Sequence, residues 1–242
     1  MTTFVSVQGR DERTLLRELT HRIQKEFVSS INVVSAAAVR TEIPEVKVAL
    51  SQVVELLEQH ADINRVLVMP DSDGLVDASE YIRRLGFAIS RSTLEPVGIR
   101  LVLVVDTLPM ESERCWRLAL AVHELVINAA RHARFDGRDG AVKIKLSLTD
   151  HVVNCIVVDN GSLSARLKPA RGLQTVTHLA KSLGGGIEYG AGAQFSSFLM
   201  VFPLTERERR ANRVVATRRA KEAELTVEAQ YRHEMENAQE LA

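Results

Sequence analysis

The chain has 242 residues, 45% hydrophobic and 26% charged, which is enough to bury a real core in one large or two small domains. Lys and Arg number 31, as do Asp and Glu, so no net field recruits nucleic acid or an anionic surface, and an anionic ligand must be met by local groups. Cys115 and Cys155 stand in apolar segments without CxxC spacing, the opening residues lack a signal-peptide core, and no run approaches the roughly 20 apolar residues of a membrane span. A cytoplasmic protein is expected, with no membrane insertion and no nucleic-acid partner.

Residues 1–10 form a short N-terminal segment. From Asp11 to Arg40 there is no Gly or Pro, and Leu16, Leu19, Ile23, Phe27, Ile31, Val34 and Ala38 recur at three- and four-residue steps, which predicts a long amphipathic helix. Pro44 suits a first helical position, and Val46, Ala49, Val53, Leu57 and His60 make a second stripe. Residues 11–69 therefore read as a helical hairpin, which buries both stripes by pairing with another copy into a dimeric four-helix bundle.

Pro70, Gly74 and the two acids between them mark a domain boundary, and residues 70–204 form the second domain. Asp77 followed by Glu80 resembles a capping box for a helix to about Thr93. Ile99 to Val105 reads as a buried strand, and Ser112 caps a helix running to about Ala133. Val142, Ile144, Leu146 and Leu148 alternate with polar residues as in a strand with one wet face, and Val152 to Val158 follows as a strand apolar on both faces. A helix over about 172–183 stops at Gly184-Gly185-Gly186, and strands at 187–189 and 195–202 flank Gly190-Ala191-Gly192. The order predicts an α+β protein: the helical hairpin, then an α/β sandwich whose mixed sheet is covered by helices on one face. Residues 205–242, rich in Arg, Glu, Lys and Ala, are expected to be solvated helix or disorder.

The stretch Ala121-Val-His-Glu-Leu-Val-Ile-Asn-Ala-Ala-Arg-His-Ala133 places Glu124, Asn128, Arg131 and His132 on one narrow helical face and Val122, Leu125, Val126, Ala129 and Ala133 on the other. A surface helix with a wet side shows the same periodicity. Ile127 stands where a zinc-protease HExxH helix needs its second histidine, which excludes that reading.

This stretch resembles the N box of histidine kinases and of the wider ATPase group they share with gyrase, Hsp90 and MutL. Val157-Val158-Asp159-Asn160-Gly161 resembles their G1 box, and Arg171-Gly172-Leu173-Gln174-Thr175-Val176 their G2 box. The resemblance implies that ATP and Mg²⁺ are bound, with Asn128 the metal ligand and Glu124 assisting proton removal. It places Asp159 on adenine and Gly161 beside it, with Arg131, His132, Gly172 and Leu173 around the nucleotide. Leu163 and Ala170 stand where the family usually has glycines.

Glu18-Leu19-Thr20-His21-Arg22-Ile23 is similar to the acceptor box of the HWE and HisKA_2 kinases, where a histidine is followed directly by arginine. His21 points away from the apolar stripe, and Glu18 one turn earlier is expected to hold one ring nitrogen and leave Nε2 free to attack phosphorus. The resemblance covers roughly residues 13–203. It implies a homodimeric kinase that phosphorylates His21 from ATP and passes the phosphoryl group to an aspartate of a response regulator receiver domain. Because about ten residues precede the first helix, the signal is expected from a separate sensory partner. Two alternatives stand beside this reading: a phosphorelay protein of the same shape that has lost ATP binding, and a serine kinase of the same fold that inhibits a sigma factor.

Overall fold

The computed structural model describes residues 4–70, 73–135, 137–163 and 171–221. Helix α1 spans Phe4–Arg40 and α2 spans Pro44–Val66, packed side by side as a hairpin. Ile43 is extended (φ −86°, ψ 113°) and Pro44 opens α2, as expected when proline bars the helical conformation of the residue before it. In the single hairpin much of the apolar stripe stays open: Leu16, Leu19, Ile23, Val46 and Val53 are exposed.

After the hairpin come β1 (Leu75–Asp77), α3 (Ala78–Ile89), β2 (Ile99–Val105), β3 (Pro109–Glu111) and α4 (Ser112–His132). They are followed by β4 (Ala133–Arg134), β5 (Gly140–Thr149), β6 (Val152–Asp159), β7 (Ser162–Leu163), α5 (Arg171–Ser182), β8 (Gly186–Gly192) and β9 (Phe195–Pro203). The main sheet has the order β2-β5-β6-β9-β8 and is mixed, because β2 runs parallel to β5 while every other pair is antiparallel. Val142, Ile144 and Leu146 of β5, Val153, Cys155 and Val157 of β6, and Met200 and Phe202 of β9 are buried. They form one core with Leu118, Val122, Leu125 and Val126 of α4, Leu85 and Ile89 of α3, and Val176, Ala180 and Leu183 of α5. The expected sandwich is the observed one.

Several local expectations shift. Asp77 does cap α3, accepting from Ser79 N–H at 3.0 Å, but the same oxygen also accepts from Leu108 N–H, and Glu80 is exposed and takes no part in a box. The helix ends at Ile89 and passes through a π-helical turn at Ser90–Leu94. Ser112 is the first residue of α4 and not its cap; the cap is Glu111, and Ser112 N–H donates to Gly74 O at 2.9 Å. Strand β6 alternates in burial because its outer face is only half covered.

Residues 206–221 form a further helix, α6, and its start is not solvated. Glu208 is 0% exposed and Asn212 is buried. Glu208 accepts from Thr205 N–H at 2.8 Å while Thr205 Oγ1 accepts from Glu208 N–H at 3.2 Å, a reciprocal cap. The same carboxylate accepts from Arg114 Nε at 3.0 Å and Glu111 N–H at 2.9 Å, which ties α6 to the start of α4. The expectation for 222–242 lies outside the described residues, as do those for Ala170 and residues 1–3.

Two aromatic side chains fix the hairpin to the sandwich. Tyr81 OH donates to Val66 O and Trp116 Nε1 donates to Leu67 O at 2.8 Å, so both carbonyls at the end of α2 are held by the second domain. Among the described residues no helix is long and apolar enough to cross a membrane.

Candidate active site

Helix α4 places Glu124 and Asn128 one turn apart, both half-buried, while Arg131 and His132 one turn further on are exposed. Leu125, Val126 and Ala129 on the opposite side are buried in the core and fix the helix's rotation. His123, half-buried beside Glu124, has its pKa lowered by burial and by the Arg131 charge, both of which favour the neutral imidazole.

The start of α5 lies directly on this polar face. A side chain at Gly172 would place its Cβ 2.0 Å from Glu124 Oε1 and 3.0 Å from Asn128 Nδ2. A larger residue there would have to push the Glu124 side chain aside. Leu173 follows, half-buried. Among the described residues neither Glu124 nor Asn128 has a hydrogen-bond partner, so an amide and a carboxylate stand uncommitted under a helix N-terminus. An uncommitted amide oxygen beside a carboxylate is a donor set that fits a hard cation taking its other ligands from phosphate and water. Unsatisfied helix N–H groups suit anionic oxygens.

Asp159 ends β6 and is 3% exposed. Gly161 N–H donates to its Oδ1 at 3.0 Å, and Ser196 Oγ, from the residue directly opposite on β9, donates to its Oδ2. Burial pushes the Asp159 pKa above the usual carboxylate value, and the hydrogen bonds from Ser196 and Gly161 pull the other way. Asn160 is structural: its Oδ1 accepts from Ala141 N–H at 2.7 Å and its Nδ2 donates to Asp139 O at 2.9 Å. The small ribbon β4–β7 pairs Ala133 with Leu163 and Arg134 with Ser162, drawing the segment after Gly161 to the end of α4. Leu163 is thus a strand residue here.

His21 is exposed on α1, and so is Glu18. The bond expected between them is not formed, since neither has a hydrogen bond or ion pair among the described residues. The fold thus brings Glu124, Asn128, Gly172 and Leu173 together and sets Asp159 with Gly161. His21 and Glu18 remain on the hairpin. Ser196 was missed by the sequence reading, although a serine in the inward register of a strand that also carries Met200 and Phe202 inward is a recognisable signal.

Residues 97–188 match the family model of the histidine kinase-like ATPase domain. Those residues are a histidine kinase-like ATPase domain. Among solved structures, the histidine kinase domain of the blue-light activated histidine kinase of Erythrobacter litoralis aligns at 17% identity with a TM-score of 0.54, covering 75% of this chain and 98% of that one. A bacterial phosphotransferase aligns at 12% identity with a TM-score of 0.53, covering 78% and 95%. At such identities the likeness is one of fold, and it reaches well beyond residues 97–188. None of the curated proteins matches the chain. The match supports a kinase- or ATPase-type function for this domain, and Glu124, Asn128, Asp159 and Gly172 all fall inside the matched residues.

Proposed function

We propose that the chain is a two-component histidine kinase core. ATP binds against α4 of the ATPase domain, its γ-phosphoryl group passes to His21 Nε2, and the phosphohistidine then donates to an aspartate of a response regulator receiver domain. The observation that supports this best is the meeting of Glu124 and Asn128 with the first turn of α5, where a carboxylate and an amide lie beside a helix N-terminus. In the transfer the Nε2–P bond forms as the bond from phosphorus to the ADP oxygen breaks, and Glu124 takes the released proton. A bound Mg²⁺, with Asn128 Oδ1 its protein ligand, supplies charge neutralisation at the phosphates. Arg131, exposed at the end of the same helix, adds a second positive charge, with His132 beside it, and Asp159 with Gly161 receives the adenine. The exposed apolar stripe of α1 and α2 supports a homodimer through the hairpin, which sets an ATPase domain near an acceptor histidine.

The test is incubation with γ-labelled ATP and Mg²⁺ followed by acid and base treatment. Label that is acid-labile and base-stable, and that vanishes in His21→Gln while nucleotide binding persists, is the expected result. Label retained in His21→Gln places the acceptor elsewhere.

One observation favours a second reading, a phosphorelay protein whose ATPase domain no longer binds ATP. Gly172 lies close against the Glu124 and Asn128 side chains, which leaves little room for phosphates between α4 and the first turn of α5. A protein with no nucleotide affinity by calorimetry that still accepts phosphoryl groups on His21 from a phosphorylated receiver domain would establish this reading over the first.

A further inference from the structure

The hairpin and the ATPase domain enclose a cleft of about 490 Å³ between α2 and α3, away from Glu124 and Asn128. Its walls carry Arg65, Arg83, Arg84 and Arg91 against two acids, Asp62 and Glu80. Asp62 is already taken by Arg65 at 2.6 Å, and Arg83 Nη2 donates to Val105 O at 3.0 Å. Arg84 lies over the Tyr81 ring and Arg91 over the Phe87 ring, at 5.4 and 5.8 Å. Neither has a carboxylate partner among the described residues. Phe87, between them on the same face, is 65% exposed.

Seven residues of helix separate Arg84 from Arg91 by about 10 Å, too far apart for a single phosphate and suited to carboxylates spaced along a chain. Arginine and an exposed aromatic side chain are also the residues that anchor protein segments.

The sequence offers such a segment. Residues 205–221 hold seven Lys and Arg against two Glu, whereas 222–242 hold six Glu against Arg232 alone. Residues 205–242 are neutral taken together but are split into a basic and an acidic block. Tyr231 and Met235 stand four apart within the acidic block and could cover Phe87. The start of α6 lies near the cleft: Arg207 Nη1 donates to Asp73 O at 2.7 Å, and seven residues back from Asp73 is Val66, in the wall of the cleft. The path from the end of α6 is at most roughly 55 Å, all 21 residues extend to about 70 Å and the 14 to Met235 to about 48 Å, so the acidic block reaches the cleft provided α6 does not run straight away from it.

We propose that the acidic segment 222–242 docks in the arginine-lined cleft between α2 and α3. Its carboxylates pair with Arg84 and Arg91, and its apolar side chains cover Phe87. Since one wall of the cleft belongs to the hairpin and the other to the ATPase domain, the docked segment holds the two in one arrangement. The inference requires no nucleotide chemistry and stands whether or not the chain binds ATP.

The experiment uses the full chain carrying Met235→Cys with a nitroxide spin label. Cys115 and Cys155 are buried, and burial pushes both thiols up to about 12, so the label goes to position 235. Paramagnetic broadening of amide signals at 62–66 and 84–91, several-fold above the rest of the domain and lost near ~1 M salt, where the screening length falls to about 3 Å, is the expected result. The broadening is also lost in Arg84→Glu with Arg91→Glu. Should that pair disturb folding, Glu234→Lys with Glu236→Lys gives the same loss. Broadening confined to 206–221, broadening indifferent to both reversals, or cleft signals that move only when a separate acidic protein is added would each overturn the proposal.

Discussion

Asp159 is held under cover at the end of β6, and burial shifts it toward its protonated form. Because the folded-state pKa is raised, the folded chain binds this proton more tightly than the unfolded one. The group's stabilising contribution is complete below the ordinary carboxylate value and is lost as pH rises through the raised one. Asp159→Asn removes the titration and keeps the shape, since Gly161 N–H can still donate to the amide oxygen and Ser196 Oγ can accept from the amide nitrogen. The unfolding free energy of the variant relative to the parent should therefore improve as pH is raised from about 4, measured by urea titration at each pH. A difference that stays flat would show that Asp159 does not titrate in that range. Asn128→Ala, in contrast, should leave stability nearly unchanged, because the amide has no internal partner to lose. In calorimetry it should weaken binding of ATP with Mg²⁺ by roughly tenfold, equivalent to about 1.4 kcal/mol, with little change when Mg²⁺ is chelated. Both positions stand out in the sequence as polar residues on a half-apolar helix and at a strand end, and the roles expected of them come from the resemblance to the N and G1 boxes. The contact that Gly172 makes with Glu124 was not, since it depends on where two remote helices cross.

Elements are joined here by buried polar side chains as much as by the core. Glu208 receives three N–H groups, from Thr205, Glu111 and Arg114, and Arg114 also donates to Leu183 O at 3.1 Å and Pro203 O at 2.7 Å. Removing the carboxylate strands two backbone donors and a guanidinium that is 14% exposed. Glu208→Ala should cost roughly 3 kcal/mol in chemical denaturation. The loss should come with faster amide exchange in 206–212 before any other element, because these bonds are what hold α6. Uniform acceleration across the sheet would instead make Glu208 part of the global core. The Thr205-x-x-Glu208 pattern that caps α6 was present in the sequence, but the surrounding Arg and Glu residues masked it as a solvated tail. Gly172→Ala tests the other junction. A methyl group 2.0 Å from Glu124 Oε1 must displace that side chain or α5, and overpacking of this kind costs about 1–3 kcal/mol. If Glu124→Ala, which opens the space, recovers the loss, the contact itself is the cause.

At the scale of the whole molecule, the hairpin, the five-stranded mixed sheet and its helical cover follow from periodicity, since each long element carries its own repeating signal. The two small ribbons do not, because β1 meets β3 and β4 meets β7 through pairs of two or three residues separated by tens of positions, too short to register as a pattern. The periodic stripes also say what the single chain leaves unfinished. Leu15, Leu16, Leu19 and Ile23 of α1 and Val46, Val53 and Leu56 of α2 are each at least two-fifths exposed, a larger apolar face than a monomer normally leaves in water. Each such side chain gains roughly 1.5–3 kcal/mol when fully buried, so a second hairpin packed on this face is strongly favoured. Leu19→Glu with Ile23→Glu should therefore convert a dimer to a species of half the mass in light scattering. The ATPase domain should keep its own unfolding transition, because its core is built without these residues. If the proposed transfer to His21 requires the dimer, this variant also loses label from ATP while retaining nucleotide affinity. A parent chain that is already monomeric at high concentration would instead leave the hairpin face to a different protein.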